Sequence, residues 1–367
     1  MGAIISYRFR LAGVPRDFAS RHSPTYTEWV FSTLDTALLD PDAGLQRQFA
    51  TGQPFRHVVI DRFLDPAFCR ELMDSFPPFA EHAAYNERGE VGGKASVHNI
   101  ATLGPAYQRF DDLMKDPQFL QFTSRMTGIP DLLYDSEYVG GGTHDNQDGQ
   151  ELDVHVDFNY HPTTELHRRL NLILFLNPEW DESWGGNLEL LKEPFSTGDD
   201  VKTVAPLANR AVIFETTEAS WHGFRRIVIP KGRKASRRSL AVYFYTKERP
   251  KQESAPSHAT VYYQRPLPAN IQPGYTLQAE DVRELQILLT RRDTYMKFLY
   301  ERELDFSQQL AGRDWRIGNL EAREQELLKE IADGKEYLQA IHDSPSLKLG
   351  KALTWPARKL RRMTKGR

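Results

Sequence analysis

Hydrophobic and polar positions follow two successive patterns between residues 51 and 250. The region begins with a short apolar run, FRHVVIDRFL, which predicts a strand and a turn. Apolar residues then recur every three or four positions in PAFCRELMDSF and in YQRFDDLMKDPQFLQFTSRMTG, which predicts a helix in each stretch. We therefore expect the first part of this region to be largely helical.

The pattern changes after about residue 130 to short stretches rich in apolar residues. They predict strands separated by turns at glycine and proline; the stretches are LLYDSEYV, ELDVHVDF, RLNLILFLN, NLELLKE, TVAP, RAVIFET, HGFRRIVI and RSLAVYFYT. Helices followed by many short strands are typical of an antiparallel sandwich or barrel with the helices packed on one side. Residues 51–250 are thus expected to form one mainly β domain with flanking helices.

Three further segments surround this domain. Residues 1–50 form an N-terminal extension with a predicted helix in TYTEWVFSTLDTALL, and residues 251–277 are proline-rich and polar, as expected of a linker or a wrapping arm. From residue 278 to residue 343, a heptad frame places apolar residues at thirteen of its eighteen positions, which predicts a coiled-coil dimer. The alternatives are a helical hairpin bent near AGRD and a single helix packed on the domain.

Residues 344–367 form a basic tail. This segment holds eight lysines and arginines, no acidic residue, and interspersed leucines. Such a composition predicts peripheral contact with an anionic membrane surface or an acidic partner, and the alternative is a solvated tail.

Composition and charge place the chain among ordinary globular proteins, with 40% hydrophobic and 26% charged residues. The formal net charge of -3 leaves no electrostatic case for binding nucleic acid. The single cysteine, Cys69, lies in a helical pattern, which predicts a buried thiol and excludes an internal disulfide. Since no stretch is long and apolar enough to cross a membrane, we expect a cytoplasmic protein with peripheral membrane contact at most.

Candidate chemistry begins in the predicted strand ELDVHVDF. His155 and Asp157 are two positions apart, so both point to one face of this strand. Two ligands do not hold a catalytic ion well, and His222, just past a later strand and turn, supplies a third. Two histidines and one carboxylate form the facial triad of non-haem Fe(II) oxygenases, which leaves three positions of the ion open. The alternative is an exposed polar strand face.

A strand with two arginines, RRSLAVYFY, follows His222. A 2-oxo acid that binds the ion through two atoms needs a cation at its far end, and the arginine fork matches a carboxylate. Arg237 shares one strand face with Ser239, whose hydroxyl suits a second hydrogen bond to the same carboxylate. We therefore expect Arg237 to point inward and Arg238 outward.

Four motifs in order resemble the Fe(II)- and 2-oxoglutarate-dependent dioxygenases of the prolyl-hydroxylase-like group: HVDFNYHP, RRLNLILFLNPEWDESWGGNLEL, VAPLANRAVIFETTEASWHGF and RRSLAVYFY. The resemblance covers roughly residues 55–250 and implies a double-stranded β-helix, which is a variant of the jelly roll. It also implies that His155, Asp157 and His222 bind the iron and that Arg237 pairs with the distal carboxylate of 2-oxoglutarate. The implied cofactors are Fe(II), 2-oxoglutarate and dioxygen, with ascorbate as the reductant.

One position of the second motif differs from the residue that the resembled family often has there. A tyrosine often precedes the LN pair of the second motif and contacts the co-substrate, and Phe175 takes that place here. We expect Asn171 or Tyr160 to replace the missing hydrogen bond to 2-oxoglutarate.

Other polar residues near the motifs have simpler interpretations. His144, His161 and His167 are expected on the surface or in loops, although the glycine run before His144 could border a substrate cleft. Arg168 and Arg169 either steer an anionic substrate or lie at solvated strand ends.

The resemblance implies a hydroxylase. Such enzymes convert 2-oxoglutarate and dioxygen to succinate and CO2 and transfer a hydroxyl group to a substrate carbon; the carboxylate of Asp157 favours hydroxylation over halogenation. The candidate substrates are a prolyl residue in a protein, a free amino acid and a glycan-related molecule. Two other functions stay open, a jelly-roll binding module with a non-catalytic metal and a scaffold that acts through its C-terminal helices.

Overall fold

The structure, a computed structural model, describes residues 32–39, 44–81, 84, 94–196 and 200–364, with side chains up to residue 357. By its internal contacts, the chain divides into two compact units, Met1–Leu288 and Leu289–Arg367. Residues 25–31 of the predicted N-terminal helix lie outside the described residues. Its last part, Thr36–Leu39, is a short 3-10 helix.

The α-helices of the described residues are α1 (Leu45–Thr51), α2 (Pro66–Asp74), α3 (Pro105–Lys115), α4 (Pro117–Thr127), α5 (Ala279–Asp343) and α6 (Pro345–Thr364). Helices α2 and α4 each start at an Asp-Pro pair, in which the aspartate caps the helix and the proline occupies its first turn. The carboxylate of Asp65 accepts backbone hydrogen bonds at 2.9 and 3.1 Å, and that of Asp116 does so at 2.7 and 3.3 Å. Local sequence thus sets where both helices begin.

The strands of the described residues are β1 (His57–Ile60), β2 (Ala95–Val97), β3 (Leu133–Tyr134), β4 (Gly142–Asn146), β5 (Leu152–Val156), β6 (His167–Phe175), β7 (Leu188–Leu191), β8 (Lys202–Val204), β9 (Ala211–Glu215), β10 (Trp221–Phe224), β11 (Arg237–Thr246) and β12 (Val261–Tyr262). The large sheet has the order β1-β9-β6-β11-β4-β2, with β3 also paired to β11, and the small sheet has the order β12-β5-β10-β7-β8. The chain passes repeatedly between these antiparallel sheets, as in a jelly roll. The predicted mainly β core with flanking helices is therefore confirmed.

The two faces of the large sheet have different surroundings, as β6 illustrates. Leu170, Leu172 and Leu174 belong to a buried cluster that includes residues of α2, α3 and α4. Asn171 and Ile173, which alternate with them, line a cavity between the two sheets. The helices therefore cover one face of the large sheet and leave the other face for a site.

Strands β2, β4 and β12 were absent from the sequence pattern. The glycine run before His144 predicted a turn, but it leads into β4, a polar strand that pairs with both β11 and β2. The proline-rich segment after residue 250 contains β12, which extends the small sheet by pairing with β5. The first half of this segment is thus an arm on the domain.

Helix α5 is continuous over 65 residues. The AGRD stretch lies inside it, so the alternative of a hairpin bent at this point is wrong. Apolar residues of the heptad frame are exposed along the helix, and α6 follows it with the basic tail. No helix of the described residues carries an apolar stretch sufficient to cross a bilayer.

Candidate metal centre

Strands β5 and β10 bring three potential metal ligands together. His155 lies directly opposite His222 in the small sheet, and their ring centroids are 4.3 Å apart. Asp157 follows the end of β5; its Oδ1 is 3.7 Å from His155 Nε2 and its Oδ2 is 3.5 Å from His222 Nε2. The ligand atoms of all three residues lie within 4.8 Å of one another. This set of donors suits a divalent ion bound on one face.

A glycine allows the two strands to approach closely at this point. A Cβ atom on Gly223, the residue after His222, would lie 2.7 Å from the carbonyl oxygen of Leu152 and 3.0 Å from the backbone of Val154. The register of the pair also shifts between His222 and Phe224. The missing side chain therefore permits the backbone contact that sets the distance between the two imidazoles.

Backbone carbonyls orient both imidazole rings. His155 Nδ1 lies 2.8 Å from the carbonyl oxygen of Asp153, and His222 Nδ1 lies 3.0 Å from that of Ser220. Since a carbonyl can only accept, each Nδ1 carries the proton and each Nε2 presents a lone pair toward Asp157.

Burial sets the charge state of the three residues. It lowers the pKa of His155 to about 3, aided by His222, and it also lowers the pKa of His222. Burial by itself would raise the pKa of Asp157, but Arg168 and the two histidines outweigh it and hold that pKa below its usual range. At neutral pH the site therefore offers two neutral imidazoles and a carboxylate, the protonation state that a metal requires.

Arg168 is buried against Asp157. Its guanidinium donates to Asp157 Oδ2 at 2.9 Å and to Asn171 Oδ1 at 2.8 and 3.0 Å, while Asn171 Nδ2 donates to the same Asp157 oxygen at 2.7 Å. The guanidinium also lies 3.6 Å from the ring centroid of Tyr243. The structure thus contradicts the interpretation of Arg168 as a solvated strand end.

A bulge explains why strand periodicity missed Arg168. In regular alternation, Arg168 would share the helix-covered face of Leu170. Instead, Leu170 pairs with Phe244 and Arg168 pairs with Tyr245, so Arg169 is skipped. A bulge reverses the direction of the side chains beyond it. Arg168 therefore turns into the cavity.

Arg237 occupies the opposite part of the same cavity. It is 4% exposed, its Nε donates to the carbonyl oxygen of Gly186 at 2.6 Å, and its guanidinium lies 4.1 Å from the ring centroid of Phe224. Burial lowers the pKa of Arg237 to about 9. Among the described residues no carboxylate lies within 4.0 Å of it, so this buried cation suits an anionic ligand.

The remaining candidates divide into those that reach the cavity and those that do not. Ser239 lines it two residues from Arg237, and Phe175 is the register partner of Ser239. Asn171 also lines it, but its amide is held by Arg168 and Asp157. The hydroxyl of Tyr160 lies 3.3 Å from the carbonyl oxygen of Ala255, away from the cavity.

One histidine lies elsewhere than predicted. His144, expected on the surface or in a loop, is in β4 and lines the cavity. His161 lies in a loop, as predicted, but it is buried with its Nε2 3.4 Å from Asp135. An isolated histidine without strand periodicity carries no local signal of burial. His167 begins β6 and packs against Tyr160, with ring centroids 4.6 Å apart.

The cavity has a volume of about 200 Å³ and lies between the inner faces of the two sheets. The arm that follows the domain supplies one wall, since Tyr262 of β12 lies 5.3 Å from His155 between ring centroids. The cavity therefore joins the three potential metal ligands, two buried arginines and several aromatic rings.

Comparison with known proteins gives a family match for the part of the chain that supplies most of the lining of this cavity. Residues 141–245 match the model of the 2OG-Fe(II) oxygenase superfamily. The Mus musculus protein named prolyl 3-hydroxylase OGFOD1 is 31% identical over 105 residues, which are 28% of this chain and 17% of the mouse protein. The chain thus spans a small part of the length of this curated relative.

Two solved structures are similar to the chain at low sequence identity. A Pseudomonas putida prolyl-4-hydroxylase has a TM-score of 0.39 and 17% identity, over 55% of this chain and 99% of that chain. A Trichoplax adhaerens prolyl hydroxylase, solved with a hypoxia inducible factor oxygen degradation domain peptide fragment, has a TM-score of 0.41 and 15% identity, over 59% of this chain and 95% of that chain.

Proposed function

We propose that this chain, whose residues 141–245 belong to the 2OG-Fe(II) oxygenase superfamily, is a 2-oxoglutarate-dependent dioxygenase that hydroxylates a carbon atom of its substrate. The observation that carries the proposal is the meeting of His155, Asp157 and His222 in the cavity that Arg237 also lines. Two neutral imidazoles and a carboxylate suit Fe(II), and a buried guanidinium suits the distal carboxylate of the co-substrate.

Each residue of the site has one task in this proposal. His155, Asp157 and His222 would hold the ion. Arg237 and Ser239, on one face of β11, bind the distal carboxylate of 2-oxoglutarate. When bound, Fe(II) and its co-substrate supply the oxidising chemistry, and the aromatic walls of the cavity limit the access of water.

Arg168 positions the carboxylate ligand. Arg168 and Asn171 both donate to Oδ2 of Asp157, so Oδ1 stays available for the ion. The ion pair also keeps Asp157 ionised inside the domain. We infer that Arg168 acts through Asp157 and fixes the direction in which its free oxygen points.

A prolyl residue of a protein is the proposed substrate. Support comes from the name of the mouse relative, prolyl 3-hydroxylase; a free amino acid and a glycan-related molecule are the alternatives. Incubating proline-containing peptides, free amino acids and oligosaccharides with the chain and its cofactors separates these classes, because mass spectrometry detects the gain of one oxygen atom in the true substrate.

Release of succinate tests the proposed activity. With Fe(II), dioxygen, 2-oxoglutarate and ascorbate as the proposed reductant, the chain is expected to form succinate above the rate of a protein-free control. Absence of both succinate and iron uptake would contradict the proposal and favour the alternative of a jelly-roll binding module with a non-catalytic metal.

Replacing Arg237 by methionine is expected to raise the 2-oxoglutarate concentration for half-maximal succinate release by about 10- to 100-fold, because a buried charged hydrogen bond is lost. Arg238→Met is the matched control. Arg238 points to the other face of β11, where its guanidinium lies 5.1 Å from the ring centroid of Phe76. A larger effect at Arg238 than at Arg237 would overturn the assigned roles.

Helix α5 is proposed to join two copies of the chain as a coiled coil. Leu310, Ile317 and Leu320 of the heptad frame are 57%, 52% and 64% exposed, and a long exposed apolar stripe is typical of a helix that packs on a partner helix. We expect light scattering to give the mass of a dimer. The double change of Leu310→Asp with Ile317→Asp should give a monomer, whereas Gln308→Asp, outside the frame, should not; a monomeric unmodified chain would refute the coiled coil.

The basic tail is proposed to place the protein at the cytoplasmic face of an anionic membrane. Leu349, Leu353 and Trp355 of α6 are exposed among the basic residues of the segment 344–367, a combination typical of peripheral helices. Sedimentation with vesicles that contain phosphatidylserine is expected to recover the chain at low salt and much less of it at high salt. If the chain does not sediment with the vesicles at low salt, the membrane proposal is wrong and the segment is a solvated tail.

A further inference from the structure

A lysine and a histidine also face the cavity, and neither has a role in the proposed function described above. Lys94 directly precedes β2, and its Nζ lies 3.1 Å from Nε2 of His144 in β4. Both side chains line the same cavity as Arg237 and Ser239. The pair therefore belongs to the site, although it lies far from the motifs in the sequence.

The strand register places this pair beside the proposed binding site for the distal carboxylate. His144 lies directly opposite Ser239 across β4 and β11, and Arg237 lies two residues further along β11. Side chains on one face of an antiparallel pair are about 5 Å apart at Cβ when directly opposite and about 7 Å apart on the diagonal. His144 thus stands next to Ser239 and within reach of whatever Arg237 binds.

The pair of Lys94 and His144 carries a positive charge, which favours the binding of an anion. Burial, followed by the charge of Lys94, lowers the pKa of His144 well below its usual value, so this imidazole is neutral and its Nε2 accepts from the Lys94 ammonium. The pKa of Lys94 is lowered to about 8, chiefly by burial; the attraction of Asp157 opposes this shift, and the charges of Arg237 and Arg168 add to it. A half-buried ammonium with a neutral acceptor is stabilised by a bound anion.

The charges of the described lining residues show which anion fits. They comprise three cations, Lys94, Arg168 and Arg237, and one carboxylate, Asp157. Arg168 already pairs with Asp157, which leaves Lys94 and Arg237 as two positive charges near Ser239. A carboxylate has two oxygens that can accept separate charged hydrogen bonds.

We propose that Lys94, oriented by His144, is a second cationic contact for the distal carboxylate of 2-oxoglutarate, opposite Arg237. This inference rests on the proposed function and extends it, because it assigns the selection of a dianionic 2-oxo acid to Arg237 of β11 together with Lys94, the residue before β2. An acid of the same length without the distal carboxylate gains nothing from Lys94.

The test compares two ligands in calorimetric titrations of the full chain loaded with Mn(II), so that binding is measured without turnover. The ligands are 2-oxoglutarate and 2-oxopentanoate, which lacks the distal carboxylate. Lys94→Met is expected to weaken 2-oxoglutarate binding by about 10- to 100-fold and to leave 2-oxopentanoate binding unchanged. Lys94→Arg should retain more affinity for 2-oxoglutarate than Lys94→Met, and Lys231→Met, at an exposed loop position, should match the unmodified chain.

The ligand pair distinguishes this role from a general effect on folding. An equal loss of affinity for both ligands in Lys94→Met, or no loss for either, would overturn the inference. Arg237→Met serves as the second arm of the test. If the unmodified chain does not bind 2-oxoglutarate, or if Arg237→Met binds it as well as the unmodified chain does, then the proposed function itself fails.

Discussion

Replacing Asp157 by asparagine is expected to abolish metal binding and succinate release while it preserves the shape of the side chain. Among the described lining residues of the cavity, Asp157 supplies the sole negative charge, and a neutral amide oxygen attracts a divalent cation far less. We expect the affinity for Mn(II) to fall by at least about 100-fold. Calorimetric titration of the metal-free protein with Mn(II) measures this change directly.

The same substitution removes the partner of a buried cation. Arg168 is fully buried and pairs with Asp157, so the metal-free Asp157→Asn protein should lose about 3 kcal/mol of unfolding free energy, as measured by urea denaturation. Asp131→Asn, at an exposed turn, is the matched control and should change neither quantity. A folded Asp157→Asn protein that binds Mn(II) as tightly as the control would refute the proposed ligand set.

Replacing Gly223 by alanine is expected to weaken metal binding by at least about 10-fold, although the residue touches no metal. The new Cβ would lie 2.7 Å from the carbonyl oxygen of Leu152, and a backbone atom cannot move aside as the tip of a flexible side chain can. Strands β5 and β10 must therefore separate where His155 and His222 face each other. Mn(II) titration and thermal unfolding measure the two consequences.

The control for Gly223→Ala is Gly334→Ala. Gly334 lies in α5 with nothing within 4 Å of an added Cβ, so alanine there should leave metal binding unchanged and favour the helix slightly. If Gly223→Ala binds Mn(II) like this control, the close approach of the two strands does not set the geometry of the site.

Local periodicity in the sequence was sufficient to predict several parts of the site. Alternation along a strand placed His155 and Asp157 on one face, and it placed Arg237 with Ser239 on the face opposite Arg238. In the structure, Arg237 lines the cavity and Arg238 lies over Phe76. These features depend on residues two or three positions apart, and the sequence contains that information directly.

Other parts of the site depend on which strands pair and where their registers shift. A single skipped residue, Arg169, turns Arg168 from the helix-covered face to Asp157. Lys94 and His144 meet only because β2 pairs with β4. Neither the bulge at Arg169 nor the pairing of β2 with β4 can be recognised in the local sequence. Because β4 is largely polar, the sequence pattern did not predict this strand at all.

The sequence by itself determined the alternating strands, the start of helices at Asp-Pro pairs, the heptad frame and the spacing of the first two candidate ligands. The tertiary structure decided the close contact of β5 with β10, the burial of Arg168, and the presence of a second cation beside Arg237. The physical reason is that the periodicity of a segment shows which of its side chains share a face. Strand register and bulges, in contrast, follow from packing between segments that are distant in the chain.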